Sequence, residues 1–316
     1  MDLSIIIPLL NEEESLEELF QRIHSVCTEA NYSYEIWFVD DGSTDSSWEI
    51  IRLLSSTHPQ IHALRFSKNY GKSQALHAAF ERVNGDIVIT MDADLQDFPE
   101  EIPHLVEKLK EGNYDIVSGW KKKRHDNVLT KNLPSKIFNS AARKVSGIPL
   151  HDFNCGLKAY RKKVVKSIDV YGDMHRYIPV LAAQAGFKNI TEKEVQHQAR
   201  PYGKSKFGSN RFIRGFLDLI TLWFVSRFGG RPMHFFGAVG TLMFCIGFLA
   251  VIALIVMKII DLSHKNYGSL LALNPLFYIA LTMMILGTQL FVAGFLGEML
   301  IRSNRENKNF FIEETL

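Results

Sequence analysis

Charge is missing from two long stretches of this 316-residue chain. No Asp, Glu, Lys or Arg occurs from Pro232 to Met257 (26 residues) or from Asn266 to Gly297 (32 residues). Cysteine is scarce: Cys27, Cys155 and Cys245 are odd in number and form no C-x-x-C pair. This excludes a disulfide framework and a zinc site of that kind, and fits a reducing compartment. No histidine pair has H-E-x-x-H spacing, and G-x-x-x-x-G-K-[ST], G-x-G-x-x-G and G-x-S-x-G are all absent. Nucleotide hydrolysis on a P-loop, a dinucleotide fingerprint and a nucleophile elbow are therefore not indicated. The first apolar run, Leu3–Leu10, is broken by Ser4 and Pro8, lacks a basic flank and runs into Asn11-Glu12-Glu13-Glu14. It is not a signal peptide. Low-complexity tracts are absent too, and 47% hydrophobic residues exclude disorder.

The uncharged stretches read as two membrane spans. Phe235–Met257 makes about 35 Å of helix at about 1.5 Å per residue, against a hydrocarbon core of about 30 Å. Leu270–Leu296 is long enough as well. Two spans after a charged globular part exclude a purely soluble protein and a polytopic transporter. Arg214, Arg227, Arg231, Arg302, Arg305 and Lys308 flank the pair, whereas its connection carries only Lys258 and Lys265. That bias places both termini and the globular part on the cytoplasmic side of the cell inner membrane. Arg211, Arg214, Asp218 and Thr221 share one helical face opposite Phe, Ile, Leu and Trp, the pattern of a helix lying in a membrane interface. The expected organisation is a globular domain over 1–209, an interfacial region over 210–231, a two-helix hairpin over 232–301 and a tail over 302–316. Glycines 237, 240 and 247 in one span and 287, 294 and 297 in the other suit packing against other subunits in a homo-oligomer.

The net charge of +2 conceals a segregation. Residues 1–120 hold 8 basic and 22 acidic side chains, and residues 121–231 hold 23 basic and 7 acidic. An anionic partner is implied for the basic part. Nucleic acid is not that partner, because the basic patch is tied to the spans and lacks interleaved stacking aromatics.

Short β-branched and aromatic runs (Leu3–Ile7, Tyr34–Val39, Ile61–Phe66, Asp86–Met91, Tyr114–Ser118) alternate with helical stretches near 13–30, 45–56, 72–84 and 99–111. This alternation predicts an α/β domain with a parallel sheet covered on both faces, binding its ligands beyond the carboxyl ends of the strands. Three of those ends are polar. Asp92-Ala93-Asp94-Leu95-Gln96 follows a hydrophobic strand, and carboxylates two residues apart there can turn toward one Mg²⁺ or Mn²⁺. Asp40-Asp41-Gly42-Ser43-Thr44-Asp45 combines a tight turn, helix-capping residues and one carboxylate more than a turn requires. Pro8-Leu9-Leu10-Asn11-Glu12 is a similar strand-to-helix loop. Asn69-Tyr70-Gly71-Lys72 opens a helix with exposed amides and a lysine, a device for facing an anion. Arg200-Pro201-Tyr202-Gly203-Lys204-Ser205-Lys206 suits phosphate or anionic lipid.

With these motifs the sequence resembles glycosyltransferase family 2, and within it the polyisoprenyl-phosphate glycosyltransferases. The resemblance rests on IIIPLLNEE, VDDGSTDSS, FSKNYGKSQAL, MDADLQDFPE, NCGLKAYRKKVV and RPYGKSKFG, with the two C-terminal spans completing the pattern. It implies a GT-A (Rossmann-like nucleotide-diphospho-sugar transferase) domain that moves one sugar from a nucleotide sugar (UDP- or GDP-linked) to a polyisoprenyl phosphate, inverting the anomeric centre. Carried over, Pro8, Leu10, Glu12 and Asp40 line the nucleoside pocket and Asp92 faces the donor. Asp94 and Gln96 hold the metal. Lys72, Lys121, Arg124, Arg200, Ser205 and Lys206 contact donor or acceptor phosphates. Some relatives place an acidic residue just before the [FL]-[RK] pair; here that position is Gly156, and Asp152, the nearest carboxylate, is the catalytic-site candidate expected to orient the acceptor or a basic side chain. Two rival readings are a processive polysaccharide synthase, whose Q-x-x-R-W signature is absent, and a non-catalytic nucleotide-sugar-binding protein.

Overall fold

A computed structural model describes residues 1–122, 139–202 apart from 141, 145, 171 and 173, 221–228 apart from 222, 225 and 226, 231–263, 273–303 and 312–315. The chain divides into two compact units, Met1–Ser226 with Lys308–Leu316, and Arg227–Asn307.

The first unit is built on one eight-stranded sheet. Its strands are β1 (Leu3–Leu9), β2 (Tyr34–Asp40), β3 (Ile61–Phe66), β4 (Ile87–Thr90), β5 (Ile116–Trp120), β6 (Lys158–Arg161), β7 (Ile190–Glu194) and β8 (Ile312–Thr315), in the spatial order β7-β5-β6-β4-β1-β2-β3-β8. Strand side chains alternate between faces, and here both faces are covered. Leu3, Ile5, Ile7 and Leu9 of β1 pack with helices α1 (Leu16–Glu29), α2 (Ser47–Thr57) and α4 (Ile102–Glu111). Ile6, with Trp37, Val39, Leu64 and Phe66, packs with α3 (Lys72–Phe80) and the segment 142–182. Helix α1 shows why the sequence is helical there: Leu16, Leu19, Phe20, Ile23 and Cys27 recur on one face and are all buried.

The parallel core β4-β1-β2-β3 agrees with the alternating pattern, but the sheet as a whole is mixed. Strand β6 runs antiparallel between β4 and β5, pairing Ala159 with both Ile89 and Val117. Strand β8 runs antiparallel along β3, so the end of the segment read as a tail completes the sheet. Neither pairing leaves a local signature, because each joins strands separated by a long excursion of chain. A 3-10 turn, Met174–Tyr177, leads into a short helix, Ile178–Gln184. Most of the interfacial region 210–231, and the 209/210 boundary, lie outside the described residues.

The second unit is a hairpin of two helices, Pro232–Ser263 and Pro275–Ser303, each long and apolar enough to cross a membrane. Their backbones meet at glycine. A Cβ on Gly240 would stand 2.5 Å from the Gly287 carbonyl oxygen, and one on Gly247 would stand 2.6 Å from that of Ala280. These glycines, suited in sequence to packing against other subunits, serve contacts within the hairpin. Gln289, a polar residue within the second helix, is exposed on the hairpin's surface.

Candidate active site at the strand ends

The loops after β1 and β2 are tied to each other. The amides of Asn11 and Glu12 donate to the hydroxyls of Ser43 (2.8 Å) and Ser47 (2.9 Å), while the Thr44 amide donates to Asn11 Oδ1 (2.7 Å). Gly42 has a φ of +78°, and a Cβ there would lie 2.6 Å from the Lys68 carbonyl carbon. Glycine is therefore required both by conformation and by the close approach of the loop after β3.

The two carboxylates of that turn are both engaged. Asp40 is fully buried; its Oδ1 accepts from the Ser43 amide (2.9 Å) and its Oδ2 lies 3.7 Å from Arg65 Nε. Its carboxylate holds the turn. Asp41 accepts the amides of Tyr70 (2.7 Å) and Gly71 (2.9 Å), fastening the loop that leads to Lys72. Burial pushes its carboxyl up to about 6, although those amides favour the charge.

Beyond β4 the chain brings charges together. Lys72 Nζ donates to Asp92. Burial opposes ionisation of Asp92, but Lys72 and Lys121 outweigh it and hold the carboxyl at about 2. Asp94 is in the opposite condition: burial, then the Asp92 charge, raises it to about 6, and Arg200 offsets only part of this. The Arg200 guanidinium bridges Asp94 Oδ2 (2.8 Å) and Glu12 Oε1 (3.2 Å), drawing the ends of β1 and β4 together. Leu95 takes a φ of +56°, and the Gln96 amide donates back to Asp94 Oδ1 at 3.2 Å. The Gln96 side chain donates to the Gln198 carbonyl (3.4 Å), and Gln198 Nε2 donates to that of Leu95 (2.6 Å).

The structure thus assembles Glu12, Lys72, Asp92, Asp94, Gln96 and Arg200, with Pro8 lining the same small cavity as Lys72 and Asp92. Leu10 follows directly on β1. The resemblance implies a phosphate contact for Lys121. It is mostly buried, and its Nζ lies 2.6 Å from Asp97. Burial opposes its charge, but Asp97 chiefly, with Asp92, holds its pKa above the ordinary lysine value. Asp152 is buried, and its Oδ1 accepts from the Asn154 amide at 3.1 Å, so it shapes the loop before β6. Arg124, Ser205 and Lys206 lie outside the described residues.

Sequence reasoning missed four participants. Asp97 stands inside the acidic run already singled out and could have been found there. Gly156 reads as a departure, yet a Cβ on it would stand 2.6 Å from Asp92 Oδ2, so its lack of a side chain makes room for that carboxylate. Lys158 is buried and donates to the carbonyls of Phe153 (3.3 Å) and Cys155, holding this loop beneath Asp92. His175 bonds Ser73, beside Lys72, from a turn remote in sequence.

A mixed sheet with carboxylates, amides and cations at its strand ends defines a GT-A-like transferase domain. Residues 4–169 match the family described as Glycosyl transferase family 2. The chain belongs to that family and is a glycosyltransferase. It is similar to the dodecaprenyl-phosphate galacturonate synthase of Rhizobium johnstonii, at 31% identity over 96% of this chain and 88% of that one. The undecaprenyl-phosphate 4-deoxy-4-formamido-L-arabinose transferase of Pseudomonas aeruginosa is 36% identical over 99% of this chain and 90% of its own. Among solved structures, glucosyl-3-phosphoglycerate synthase from Mycobacterium tuberculosis superposes with a TM-score of 0.54. That complex, with Mn²⁺, UDP and glucosyl-3-phosphoglycerate, is 20% identical and covers 71% of this chain and 79% of that one, a likeness of fold.

Proposed function

We propose that this enzyme transfers a single sugar from a nucleoside-diphosphate sugar to a polyisoprenyl phosphate at the cytoplasmic face of the cell inner membrane, inverting the anomeric centre. The observation that carries this reading is the joining of Glu12, Asp94 and Arg200 beside the Lys72–Asp92 pair, in a chain whose relatives named for polyprenyl-phosphate chemistry align along nearly its whole length.

The donor set fits a hard divalent cation, Mg²⁺ or Mn²⁺. Asp94 is a buried carboxylate whose ionisation is disfavoured until a cation compensates it, and Gln96 offers an amide oxygen two residues on. Among the described residues no group of three or more His, Cys, Asp or Glu has a metal-holding arrangement. Asp94 and Gln96 would therefore share the ion with oxygens of the diphosphate and water. Once bound, the ion neutralises charge on the leaving diphosphate.

The remaining steps belong to the protein. Lys72, set by Asp92, and Arg200, set by Glu12, face the donor phosphates, and Arg124, Ser205 and Lys206 serve the acceptor side. A phosphate monoester has a second pKa near 6, so the attacking oxygen is already largely ionised. It needs orientation more than a base, and Asp152, committed to its own loop, acts by supporting the surroundings of Lys158.

A panel of labelled UDP- and GDP-sugars incubated with full-length protein, a divalent cation and undecaprenyl phosphate tests the reading. A lipid-linked monosaccharide is the expected product. Polymer would establish a processive synthase, and donor binding without product a binding protein.

A further inference from the structure

Beside Asp92 lies a small, partly open cavity of about 20 Å³, room for one water-sized polar group. Lys72, Asp92, Asn154, Lys158, His175 and Arg176 contribute to its walls. His175 comes from the turn Met174–Tyr177 and is fixed by Ser73, a fully buried residue in the first turn of α3.

Two contacts between these residues determine the imidazole's proton. The His175 backbone amide donates to Ser73 Oγ at 3.0 Å, and the same oxygen lies 3.1 Å from His175 Nδ1. The Ser73 hydroxyl has one hydrogen to donate, and Nδ1 is the acceptor within its reach. A proton on Nδ1 would leave that buried hydroxyl hydrogen without an acceptor, which folded proteins avoid. Nδ1 therefore accepts, and Nε2 carries the hydrogen. The ring is also uncharged: burial first, then the positive charges of Lys72 and Arg176, push its pKa down to about 3. A neutral imidazole locked in this tautomer is no general base at Nε2. It is a fixed donor beside the carboxylate acceptor Asp92.

We propose that His175, its tautomer set by Ser73, is a specificity-determining residue that donates Nε2–H to a hydroxyl of the transferred sugar. A hydroxyl both gives and accepts a hydrogen bond, and Asp92 and His175 supply the two complements on one cavity. A phosphate would be better served by an imidazolium, which the neighbouring cations suppress. The assignment rests on the donor reading above, since it takes Asp92 and Lys72 to face the nucleotide sugar.

Calorimetric titration of the solubilised full chain with the nucleotide sugar and with the matching nucleoside diphosphate tests it, alongside KM for undecaprenyl phosphate. His175→Ala should weaken nucleotide-sugar binding about tenfold and leave the nucleoside diphosphate and the lipid phosphate within about twofold. His175→Gln, which keeps an N–H, should recover most of the loss. Ser73→Ala, which frees the tautomer, should fall between. Equal weakening of the nucleoside diphosphate, a shift confined to the lipid phosphate, or no change would overturn the proposal. Should His175→Ala lose nucleoside diphosphate binding through misfolding, Ser73→Ala carries the test because it keeps the imidazole. A wild-type chain that binds nucleotide sugar but moves none to lipid would sink the transferase reading, while the calorimetry would still decide His175.

Discussion

At Asp94 function is set against stability. Its carboxyl titrates near 6, where an unfolded aspartate titrates at 3.8. The folded state thus binds the proton more tightly. The associated stability is complete below pH 4 and is lost as pH rises through 6, so ionised Asp94 is a cost at neutral pH. Asp94→Asn removes the charge and keeps the shape. We expect the metal-free variant to be more stable than wild type by about 1–3 kcal/mol at pH 7.5, the gain shrinking toward zero by pH 4. Turnover should fall at least about a hundredfold, because the cation and Arg200 lose their carboxylate. Thermal melts with and without Mn²⁺ check both halves: the ion should raise the wild-type midpoint and leave that of the variant unmoved. Asp94 was legible in sequence because two carboxylates after a hydrophobic strand are rarely needed for folding. Arg200 was legible as a cation, but its bridge to Glu12 and Asp94 depends on folding together residues far apart in the chain. His175 was not legible, since an isolated histidine without metal spacing resembles any other.

At the level of elements, the insertion of β6 between β4 and β5 is what brings the Asn154–Gly156 loop under the DxD segment. The run of β6 itself, KAYR, is too short to announce its partners, and nothing local distinguishes parallel from antiparallel pairing. The sequence alternation therefore led to the parallel half of the sheet and did not show where the strand that completes the site inserts. The packing of Gly156 on Asp92 supplies a test. A methyl group there would stand 2.6–2.7 Å from the Asp92 carboxylate atoms, so Gly156→Ala must displace that side chain or its own loop. We expect turnover to fall about tenfold or more, because Lys72 and Asp92 would no longer be in register. Overpacking should cost about 1–3 kcal/mol of stability. Steady-state kinetics with a chemical melt distinguishes the two effects, and unchanged kcat with a lowered midpoint would make Gly156 purely structural.

On the scale of the whole molecule, the chain leaves its catalytic unit at Ser226, forms the hairpin, and re-enters that unit from Lys308. Its last described residues are strand β8, which covers the edge that β3 would otherwise expose. Glu314 accepts from Trp48 Nε1 at 3.0 Å and pairs with Arg52, while Arg65 lies over the Trp48 ring and between Glu313 (4.0 Å) and Asp40 (3.7 Å). The C-terminus is thereby connected to the turn that shapes the nucleotide side of the site. The Arg52 and Trp48 hydrogen bonds hold the Glu314 carboxyl below the ordinary glutamate value. Its contribution is accordingly present above about pH 4.5 and lost as pH falls through the lowered value. Glu314→Ala, or removal of residues 312–316, should lower the thermal midpoint at pH 7 and weaken nucleotide binding about five- to tenfold. For Glu314→Ala the difference from wild type should close as the medium is acidified. Adding a synthetic peptide of residues 304–316 to the truncated enzyme gives the sharper measurement. Recovered affinity would show that the strand acts on the donor site by occupying the β3 edge, whereas affinity unchanged by truncation would confine β8 to covering that edge.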